Sequence, residues 1–425
     1  MLDIKLIREN PELVKQGIKN KNEKDTVDEI LALDKKRREI LTKDEDLKAK
    51  RNKVSQEIGK LKKAGENADG IIAEMKTVSD EIKELDDSLK NVESKLNTLL
   101  SWVPNLPHSS VPVGANEESN VEVRSWLPDA FSFEQEFKML DHIELGKKLN
   151  ILDFNRGAKI TGSGFPVYVG KGAMLERALI NYMLNYHIEK HGYTEIIPPF
   201  LVNTESMTGT GQLPKMKDDM YYAEKDDLYL VPTAEVPITN MHRNEIVPKS
   251  ELPINYVGYS ACFRREAGSY GKESKGFLRV HQFNKVEMVK LVEPETSYNE
   301  LETIVSNAED ILKELEIPYR VLLLSTGDLS FAAAKCYDIE TWSPAENKWL
   351  EASSCSNFED FQARRANIRF RDEDNKKVKF LHTLNGSGLA TSRLMVSLLE
   401  NYQTPEGKII VPKVLQPYTG FSIIG

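Results

Sequence analysis

Residues 262–267 read Cys-Phe-Arg-Arg-Glu-Ala, and residues 276–287 read Gly-Phe-Leu-Arg-Val-His-Gln-Phe-Asn-Lys-Val-Glu. Both stretches mix charged residues into apolar patterns that are typical of β-strands, and a Gly-rich segment separates them. We therefore predict a hairpin of two strands with small and basic residues at its tip. Charged groups within such strands are costly unless they have a partner or a task. The hairpin is thus a candidate site for a phosphorylated ligand.

Two further stretches combine polar residues with strand-like apolar ones. Residues 231–240 read Val-Pro-Thr-Ala-Glu-Val-Pro-Ile-Thr-Asn, and residues 351–357 read Glu-Ala-Ser-Ser-Cys-Ser-Asn. Residues 383–395 read Thr-Leu-Asn-Gly-Ser-Gly-Leu-Ala-Thr-Ser-Arg-Leu-Met and enter an apolar helix. After about Trp126, strand-like runs and amphipathic helices follow one another without regular βαβ units. This pattern predicts an α+β fold with an antiparallel sheet.

The first hundred residues have a different character, because 44 of them are charged. From Ile71 to Leu99, apolar residues recur in alternating steps of four and three, which is typical of a helix that packs along a partner helix. Upstream, an apolar residue recurs every seven positions from Leu33 to Leu61. The breaker cluster at residues 65–70 is short enough to make the two helices antiparallel. We predict a helical hairpin over about 27–100, on the order of 50 Å long.

The two predicted helices of this hairpin differ in charge. Residues 35–63 contain 12 basic and 5 acidic residues, whereas residues 66–95 contain 4 basic and 9 acidic ones. Neutralisation between the helices is one explanation. A basic stripe that faces nucleic-acid phosphates is the other, and both can hold at once.

Composition excludes several classes of protein. The chain has 425 residues and a net charge of −9, so it is not a uniformly basic nucleic-acid-binding protein. Its three cysteines form no Cys-x-x-Cys pair and no even disulfide framework, which favours a reducing compartment. The N-terminus is charged from its third residue, and no segment approaches the roughly 20 apolar residues of a membrane span. We expect a cytoplasmic protein with no membrane partner.

Several kinds of catalytic or metal site are also disfavoured. His187 and His191 match no zinc signature, so no structural zinc is expected. Residues 268–274 do not form a P-loop, because Glu266 and Glu273 occupy positions where that motif needs Gly and Ser or Thr. No Ser or Cys lies in a recognisable nucleophile elbow, so acyl-enzyme chemistry has no support.

Domain boundaries follow from these patterns. We predict an N-terminal domain at 1–103, a Pro-rich linker at 104–125 and a catalytic domain at 126–425. Three prolines between Pro104 and Pro112 disfavour helix and favour an extended strap.

Three segments resemble the signature motifs of class II aminoacyl-tRNA synthetases. Phe-Arg-Arg-Glu before a loop and strand resembles motif 2, and Gly-Leu-Ala-Thr-Ser-Arg at 388–393 resembles motif 3. The predicted helix 175–186, which leads to Ile-Ile-Pro-Pro at 196–199, resembles motif 1, the dimer element with its proline Pro199. Within the class, five further stretches resemble bacterial-type seryl-tRNA synthetases: Thr-Ala-Glu-Val-Pro, Gly-Thr-Gly-Gln-Leu-Pro-Lys, His-Gln-Phe-Asn-Lys-Val-Glu, Ser-Ser-Cys-Ser-Asn-Phe-Glu-Asp-Phe-Gln-Ala-Arg-Arg and His-Thr-Leu-Asn-Gly-Ser-Gly.

The resemblance implies a fold and a reaction. The fold would be an antiparallel sheet flanked by helices, with an N-terminal coiled-coil arm. The enzyme would activate L-serine with ATP to seryl-adenylate and pyrophosphate, then transfer serine to the 3′ end of serine tRNA. Whether selenocysteine tRNA is also charged stays open.

The resemblance also implies roles for nucleotide-binding residues. Arg264 would bridge the serine carboxylate and the α-phosphate, and Arg393 would be the second catalytic arginine. Glu266 would accept from the adenine amino group, while Phe277 and Arg393 would sandwich the base. Glu351 and Ser354 would hold Mg²⁺ between phosphates. The full implied ATP set is Arg264, Arg265, Glu266, Phe277, Val280, Glu351, Ala352, Ser353, Ser354 and Arg393.

Serine recognition needs hydrogen bonds that alanine cannot make and a pocket too small for threonine. By resemblance, Glu287 and Ser387 would contact the serine hydroxyl, and Thr233 and Glu235 the ammonium group. The full implied serine set is Thr233, Ala234, Glu235, Arg264, Glu287 and Ser387.

The helical hairpin resembles the tRNA-binding arm of this family. It implies contact with the long variable arm of serine tRNA, while the acceptor end would reach the catalytic domain of a homodimer. The residues expected to face tRNA are Lys35, Lys36, Arg37, Arg38, Lys48, Arg51 and Lys60.

Three alternatives were weighed against this interpretation. An amino acid ligase that loads a carrier protein should lack the long basic arm. A non-catalytic synthetase-like regulator should lose Arg264, Glu266 or Arg393, and all three are present. A coiled-coil scaffold would explain only the first hundred residues. The sequence thus favours the tRNA-charging enzyme.

Overall fold

The computed structural model describes residues 1–129, 131–267, 276–372 and 376–425. The expected hairpin tip at 268–275 therefore lies outside the described residues. The chain forms two compact units. The arm comprises residues 2–19 and 23–103, and the body comprises residue 1, residues 20–22 and residues 104–425.

The α-helices have the following bounds: α1 Ile4–Glu9, α2 Pro11–Asn20, α3 Val27–Ala64, α4 Asp69–Ser101, α5 His142–Lys148, α6 Phe154–Ile160, α7 Lys171–Glu189, α8 Thr204–Gly209, α9 Glu235–Asn240, α10 Ser297–Glu314, α11 Phe361–Ala366, α12 Thr391–Asn401 and α13 Gln416–Thr419. The strands are β1 Val121–Trp126, β2 Leu152–Asp153, β3 Val167–Tyr168, β4 Thr194–Ile196, β5 Leu201–Asn203, β6 Tyr222–Ala223, β7 Leu228–Leu230, β8 Ile246–Pro248, β9 Ile254–Phe263, β10 Gln282–Val292, β11 Tyr319–Leu323, β12 Lys335–Ser343, β13 Lys348–Asn357, β14 Arg369–Arg371, β15 Val378–Phe380, β16 His382–Ala390, β17 Ile409–Ile410 and β18 Ile423–Ile424.

The arm contains the expected helical hairpin, built from α3 and α4. Helix α3 has 38 residues, which corresponds to about 57 Å. It ends at Gly65, whose φ of +75° is open to glycine and costly for other residues. Met75, Val78 and Ile82 of α4 form a small apolar core with residues of α3.

Charge neutralisation between the two arm helices is confirmed. Each of four lysines or arginines of α3 contacts a carboxylate of α4 within 3.2 Å. These pairs are Arg37 with Glu93, Lys43 with Glu81, Lys48 with Asp86 and Lys50 with Glu74. Exposed pairs of this kind add little stability, but opposite charges favour the antiparallel pairing.

The body is built on an eight-stranded sheet, in agreement with the predicted α+β fold. Its strand order is β1-β11-β12-β13-β16-β10-β9-β4. Every neighbouring pair is antiparallel except β4 with β9.

The two faces of this sheet have different neighbours. Val286 and Met288 of β10 share a core with residues of α7, α10 and α12. Val289 and Leu291 share a second core with residues of α9 and α11. Because side chains alternate along a strand, Glu287 lies on the α9 and α11 face. This face carries the candidate site.

The C-terminal end of the predicted linker is part of the sheet. Residues 121–126 form strand β1, which pairs with β11 along the edge of the sheet. The preceding segment is bonded to the body as well, since the Asn105 amide donates to the carbonyls of Ala332 and Phe358 at 2.9 and 2.8 Å. The prolines disfavour a helix in this segment, but they do not prevent its hydrogen bonds with the body. Among the described residues, no helix has the length and apolar character that crossing a bilayer demands.

Candidate active site

A cavity of about 430 Å³ opens on the α9 and α11 face of the sheet. Its wall is formed by the segment that follows β9, by β10, β13 and β16, by the start of α12 and by the loop after α8. Thirteen of the expected serine and ATP residues line it: Thr233, Glu235, Arg264, Glu266, Phe277, Val280, Glu287, Glu351, Ala352, Ser353, Ser354, Ser387 and Arg393.

Glu287 occupies a buried position in the cavity wall. It lies on β10 directly opposite Ser387 of β16, and its side chain is fully buried. Its Oε2 atom accepts a hydrogen bond from the Thr233 hydroxyl at 3.1 Å and forms an ion pair with Lys285. Its Oε1 atom has no hydrogen-bond partner among the described residues. Because an unpaired buried acceptor is costly, this oxygen is available to a donor from a ligand.

Glu235 supplies a second buried carboxylate at the start of α9. The Gln362 amide donates to its Oε1 atom at 2.6 Å, and its backbone N–H donates to the Thr233 hydroxyl at 3.2 Å. Burial, together with the charge of Glu287, raises the pKa of Glu235 to about 7. A cation bound beside Glu235 would favour its ionised form.

We refer to Thr233, Glu235, Lys285, Glu287 and Ser387 as the buried carboxylate cluster. All five residues are buried. The cluster contains two carboxylates and one lysine. With both carboxylates ionised it is therefore one positive charge short of neutrality, and a small ligand with one cationic group would complete it.

Arg264 lies at the end of β9, next to this cluster. Its backbone N–H donates to the carbonyl of His281 at 2.9 Å, and its guanidinium carbon lies 5.2 Å from the centre of the Phe283 ring. Its charge acts on Glu235 and lowers the pKa of that carboxyl, against the larger effect of burial. Within the described part of the chain, the Arg264 guanidinium has no carboxylate within ion-pair distance. It is free to bind an anion.

Two half-exposed ion pairs occupy the rest of the wall. Arg279 Nη1 lies 3.1 Å from Glu266 Oε2, and Arg393 Nη1 lies 2.8 Å from Glu351 Oε2. Glu266 has a φ of +51°, a conformation that costs a residue other than glycine on the order of 1 kcal/mol. The turn that leaves β9 holds its carboxylate against Arg279.

A β-bulge arranges the acidic side of the cavity. Ser353 pairs with Ile339 of β12, whereas Glu351 pairs with Glu340, so Ala352 is an extra residue in β13. In a regular strand, residues 351 and 354 would face opposite sides of the sheet. The bulge brings Glu351 and Ser354 to the same cavity.

This pair suits a divalent cation whose remaining ligands come from phosphate. One carboxylate and one hydroxyl are hard oxygen donors of the kind that Mg²⁺ prefers. The described residues contain no cluster of three or more His, Cys, Asp or Glu side chains that could hold a metal. Glu351 and Ser354 supply two oxygen ligands and leave the other coordination positions of such a cation to phosphate oxygens and water.

Comparison with known proteins decides the family. Residues 1–107 match the seryl-tRNA synthetase N-terminal domain, and residues 217–402 match the tRNA synthetase class II core domain (G, H, P, S and T). A serine–tRNA ligase from Chloroherpeton thalassium is 62% identical over 430 residues and covers 100% of both chains. The chain belongs to the seryl-tRNA synthetases. It is accordingly a class II aminoacyl-tRNA synthetase.

Two solved structures of seryl-tRNA synthetases support the same assignment. The enzyme from Pyrococcus horikoshii, complexed with ATP, is 44% identical with a TM-score of 0.94, and the match covers 100% of this chain and 99% of that one. The cytoplasmic serine–tRNA ligase from Naegleria fowleri, in complex with AMP, is 32% identical with a TM-score of 0.88, covering 100% and 98%.

One residue expected at the synthetase site does not offer the surface its role needs. Phe277 is 1% exposed and packs against the rings of Tyr168 at 5.3 Å, Phe154 at 5.4 Å and His142 at 5.9 Å. Although it contributes to the cavity wall, these neighbours cover its ring, so stacking on a base would require repacking the core. Phe283 lines the same cavity beneath Arg264 and is less buried than Phe277.

Two further expected residues lie outside the cavity lining. Ala234 is fully buried in the core beneath α9 and α11. Arg265 is exposed, and its guanidinium carbon lies 5.7 Å from the centre of the Tyr221 ring. Their expected contacts with serine and ATP remain predictions.

Three further sets of residues, not expected from the sequence, line the cavity or contact its carboxylates. Lys285 could have been found, since it lies two residues from Glu287 and so faces the same side of β10. The Gly-Thr-Gly stretch at 209–211, a weak signal in the sequence, contributes Thr210 and Gly211 to the cavity wall. Gln362 lies within one of the stretches that resemble the family, but its role could not be predicted, because its contact with Glu235 joins residues 127 positions apart.

Proposed function

We propose that the cavity binds L-serine and ATP and forms seryl-adenylate. The observation that carries the proposal is a buried carboxylate cluster that is one positive charge short when both carboxylates are ionised, next to Arg264, which has no ion pair among the described residues. An oxygen of the serine carboxylate attacks the α-phosphorus, and pyrophosphate leaves. The nucleophile is already ionised, so positioning and charge neutralisation carry the step and no general base is needed. In the second step, a 3′-terminal hydroxyl of tRNA attacks the serine carbonyl, and AMP leaves.

Serine recognition is assigned to the buried carboxylate cluster. The serine hydroxyl donates to Glu287 Oε1, the buried acceptor that lacks a partner among the described residues. Glu235 and Thr233 hold the ammonium group, and Ser387 stands opposite Glu287. Alanine would leave Oε1 unpaired, which supports discrimination of about 10⁴-fold. Threonine is rejected by size, a weaker effect of about 1–3 kcal/mol for its extra methyl group.

ATP is assigned to Arg264 and the half-exposed ion pairs. Arg264 binds the α-phosphate and the serine carboxylate through its planar fork. Glu266 accepts from the adenine amino group, and the base stacks between Phe283 and Arg393. The half-exposure of the Arg393 pair with Glu351 supports this role, since such pairs exchange partners at low cost.

Magnesium would be held by Glu351 and Ser354 together with the nucleotide. The ion would neutralise phosphate charge when bound. Within this chain, the Ala352 bulge orients the two ligands toward the cavity, and Ser353 donates from its hydroxyl to the Ser387 carbonyl at 2.6 Å. That bond fixes β13 beside the serine site.

The arm is assigned to the long variable arm of serine tRNA, and the acceptor end to the body. Of the expected contacts, Arg37, Arg38 and Lys48 form ion pairs within the arm at 3.2 Å or less. Among the described residues, the side chains of Lys36, Arg51 and Lys60 form none. These three are the strongest candidates for phosphate contacts.

The arm assignment predicts a selective defect. Replacing Lys36, Arg51 and Lys60 with alanine should raise the KM for serine tRNA about tenfold and flatten its salt dependence, because phosphate contacts are lost. A matched control replaces Lys43 and Lys50, which pair within the arm at 2.6 and 2.8 Å. Filter-bound charging assays over a salt series measure both variants. An equal effect in both would reject the assignment.

Selenocysteine tRNA is a second candidate substrate, because contact with a variable arm does not restrict the enzyme to serine tRNA.

Homodimer formation is proposed through the motif 1 region. Strand β4 lies at the edge of the sheet, and Ile197, just after it, is 84% exposed. Pro199 is also exposed. A second copy of the chain would cover this apolar edge.

One assay tests the proposed function as a whole. Pyrophosphate exchange across the twenty amino acids, with the full chain, should respond to serine alone, and the same protein should then charge total tRNA with serine. A carrier-protein ligase is the second candidate, and it would exchange but leave tRNA uncharged. The arm carries basic side chains that form no ion pair among the described residues, which supports tRNA as the substrate. We propose a cytoplasmic location with this function. Exchange with another amino acid would overturn the proposal.

A further inference from the structure

Gln362 is a buried amide that joins three parts of the cavity wall. Its Nε2 group donates to Glu235 Oε1 at 2.6 Å and to the backbone carbonyl of Thr210 at 3.1 Å. Its Oε1 atom accepts from the Thr383 hydroxyl at 2.7 Å. The side chain is 1% exposed, and Thr383 is fully buried. Glu235, Gln362 and Thr383 come from α9, α11 and β16, so a single amide connects these elements and the loop after α8.

Hydrogen-bond chemistry fixes the orientation of this amide. A flipped amide would point its oxygen at the Glu235 carboxylate and at the Thr210 carbonyl, both of which are acceptors. The Thr383 hydroxyl supports the same orientation by donating to Oε1. Gln362 therefore presents its N–H groups to the ionised Glu235 carboxylate and to the Thr210 carbonyl, and moving α11 away would break three hydrogen bonds.

We propose that Gln362 is a positioning residue for serine recognition, which holds the Glu235 carboxylate in place and ties the Thr210 loop to it. The inference rests on the proposed role of Glu235 as the partner of the serine ammonium group. The amide acts through Glu235 and needs no contact of its own with the substrate. Since Thr210 also lines the cavity, the same amide sets the distance between the loop and the bound amino acid.

Because charged groups surround Glu235, the positioning role of Gln362 predicts a change in the pH dependence of the serine KM. Glu287 and Lys285 of β10 and Arg264 at the end of β9 face it, and Gln362 supplies the hydrogen bond that favours its ionised form. Loss of that bond raises the pKa of Glu235 further. Because only the ionised carboxylate pairs with ammonium, the serine KM of the variant should reach its low plateau at a higher pH than in the parent enzyme.

The experiment uses serine-dependent pyrophosphate exchange by the full chain from pH 6 to 9. Gln362→Met removes the amide with little change in size, and it should raise the serine KM about ten- to a hundredfold while leaving the ATP KM unchanged. Thr383→Val should shift the serine KM in the same direction by a smaller factor. Thr383→Ser keeps the hydroxyl and should restore the parent value.

Gln403 provides a matched control outside the cavity. It is 8% exposed, and its amide donates to the carbonyls of Leu140 and Glu400 and accepts from the Leu140 N–H. Gln403→Met therefore removes the same number of hydrogen bonds from a buried glutamine. It should leave the serine KM and its pH profile unchanged.

The outcomes separate this inference from the proposed function. If Glu235→Gln leaves the serine KM unchanged, the assignment of Glu235 is wrong. If Glu235→Gln raises the serine KM but Gln362→Met and Thr383→Val do not, only the positioning role is rejected. Equal rises in the KM for serine and for ATP, or an unshifted pH profile, would also reject it. If Gln362→Met does not fold, the Thr383→Val and Thr383→Ser pair decides.

Discussion

The buried carboxylate cluster and the half-exposed ion pairs hold their charges in different ways. Glu287 is fully buried, and its oxygens are either bonded directly to neighbours or left for a ligand. Arg393 and Glu351, by contrast, keep side-chain exposures of 30% and 45%. A preformed cluster suits a small ligand with one fixed set of hydrogen-bond donors. Exposed pairs suit a triphosphate, because its phosphates can replace the carboxylate as the partner of the arginine. In the proposed function, the buried cluster thus determines which amino acid binds, and the half-exposed pairs open to bind the nucleotide.

Arg264 is the strongest test of this separation, since it faces both parts. Arg264→Ala should lower the kcat/KM of pyrophosphate exchange by at least 10²- to 10³-fold, because a positioned cation that neutralises developing charge is lost. Arg264→Lys keeps the charge without the planar fork and should be intermediate. Exchange kinetics measure both variants, and circular dichroism checks the fold. Unchanged exchange in Arg264→Ala would reject its phosphate role.

Glu235→Gln tests the buried cluster alone. It should raise the serine KM about ten- to a hundredfold with little change in the ATP KM. In the parent enzyme the serine KM should fall as the pH rises through about 7, where Glu235 ionises, and in the variant it should no longer follow that ionisation. A parent-like pH profile in the variant would assign the titration to another group.

The same substitution makes a prediction about stability. The raised pKa of Glu235 means that the folded state disfavours its charge, so stability is present below the ordinary pKa of a glutamate and is lost as the pH rises through about 7. Without ligand at pH 8, Glu235→Gln should therefore have a free energy of unfolding higher than the parent by on the order of 1–3 kcal/mol. Urea titrations at pH 5 and pH 8 measure the difference, which should shrink at the lower pH.

Substitutions of Phe283 and Phe277 test which of the two rings stacks on the adenine. Phe283→Leu should raise the ATP KM about five- to fiftyfold, because a base loses its stacking surface. Phe277→Leu should lower the free energy of unfolding by about 1–2 kcal/mol and leave the ATP KM near the parent value, since that ring is packed in the core. Exchange kinetics at varied ATP separate the two. The reverse pattern would restore the assignment to Phe277.

Glu266→Gln should have the smallest effect. The ATP KM should rise a few fold, and the free energy of unfolding should change by no more than about 0.5 kcal/mol, because the pair with Arg279 is half exposed. Glu340→Gln is a matched control, since Glu340 pairs with Arg320 at 2.6 Å and does not line the cavity. Equal ATP KM changes in the two variants would indicate that Glu266 has no specific contact with the nucleotide.

Local pattern predicted most of the fold. The four-and-three spacing between Ile71 and Leu99 corresponds to a real helix, α4, and the breaker at 65–70 corresponds to its turn. The end of the linker could not be predicted, because the pairing of β1 with β11 joins segments almost 200 residues apart. Hydrophobic periodicity contains no information about such a partner.

The location of a site residue could be predicted only where the motif and the two-residue period of the strand place it on the same face of the sheet. Alternation along a regular strand would separate Glu351 from Ser354, and the bulge at Ala352 that reunites them shows only in the pairing with β12. Phe277 and Phe283 are both aromatic residues in the same motif, and burial alone distinguishes them. Gln362 depends on tertiary contacts with distant elements. Each of these failures concerns geometry that the sequence does not encode locally.

A crystal structure of the full chain with a nonhydrolysable seryl-adenylate analogue tests the central claim most directly. We expect the serine hydroxyl within hydrogen-bond distance of Glu287 Oε1, the ammonium group at Glu235, the phosphate mimic on Arg264 and the adenine on Phe283. An analogue whose seryl group lies away from the buried carboxylate cluster, or whose phosphate mimic avoids Arg264, would contradict the account.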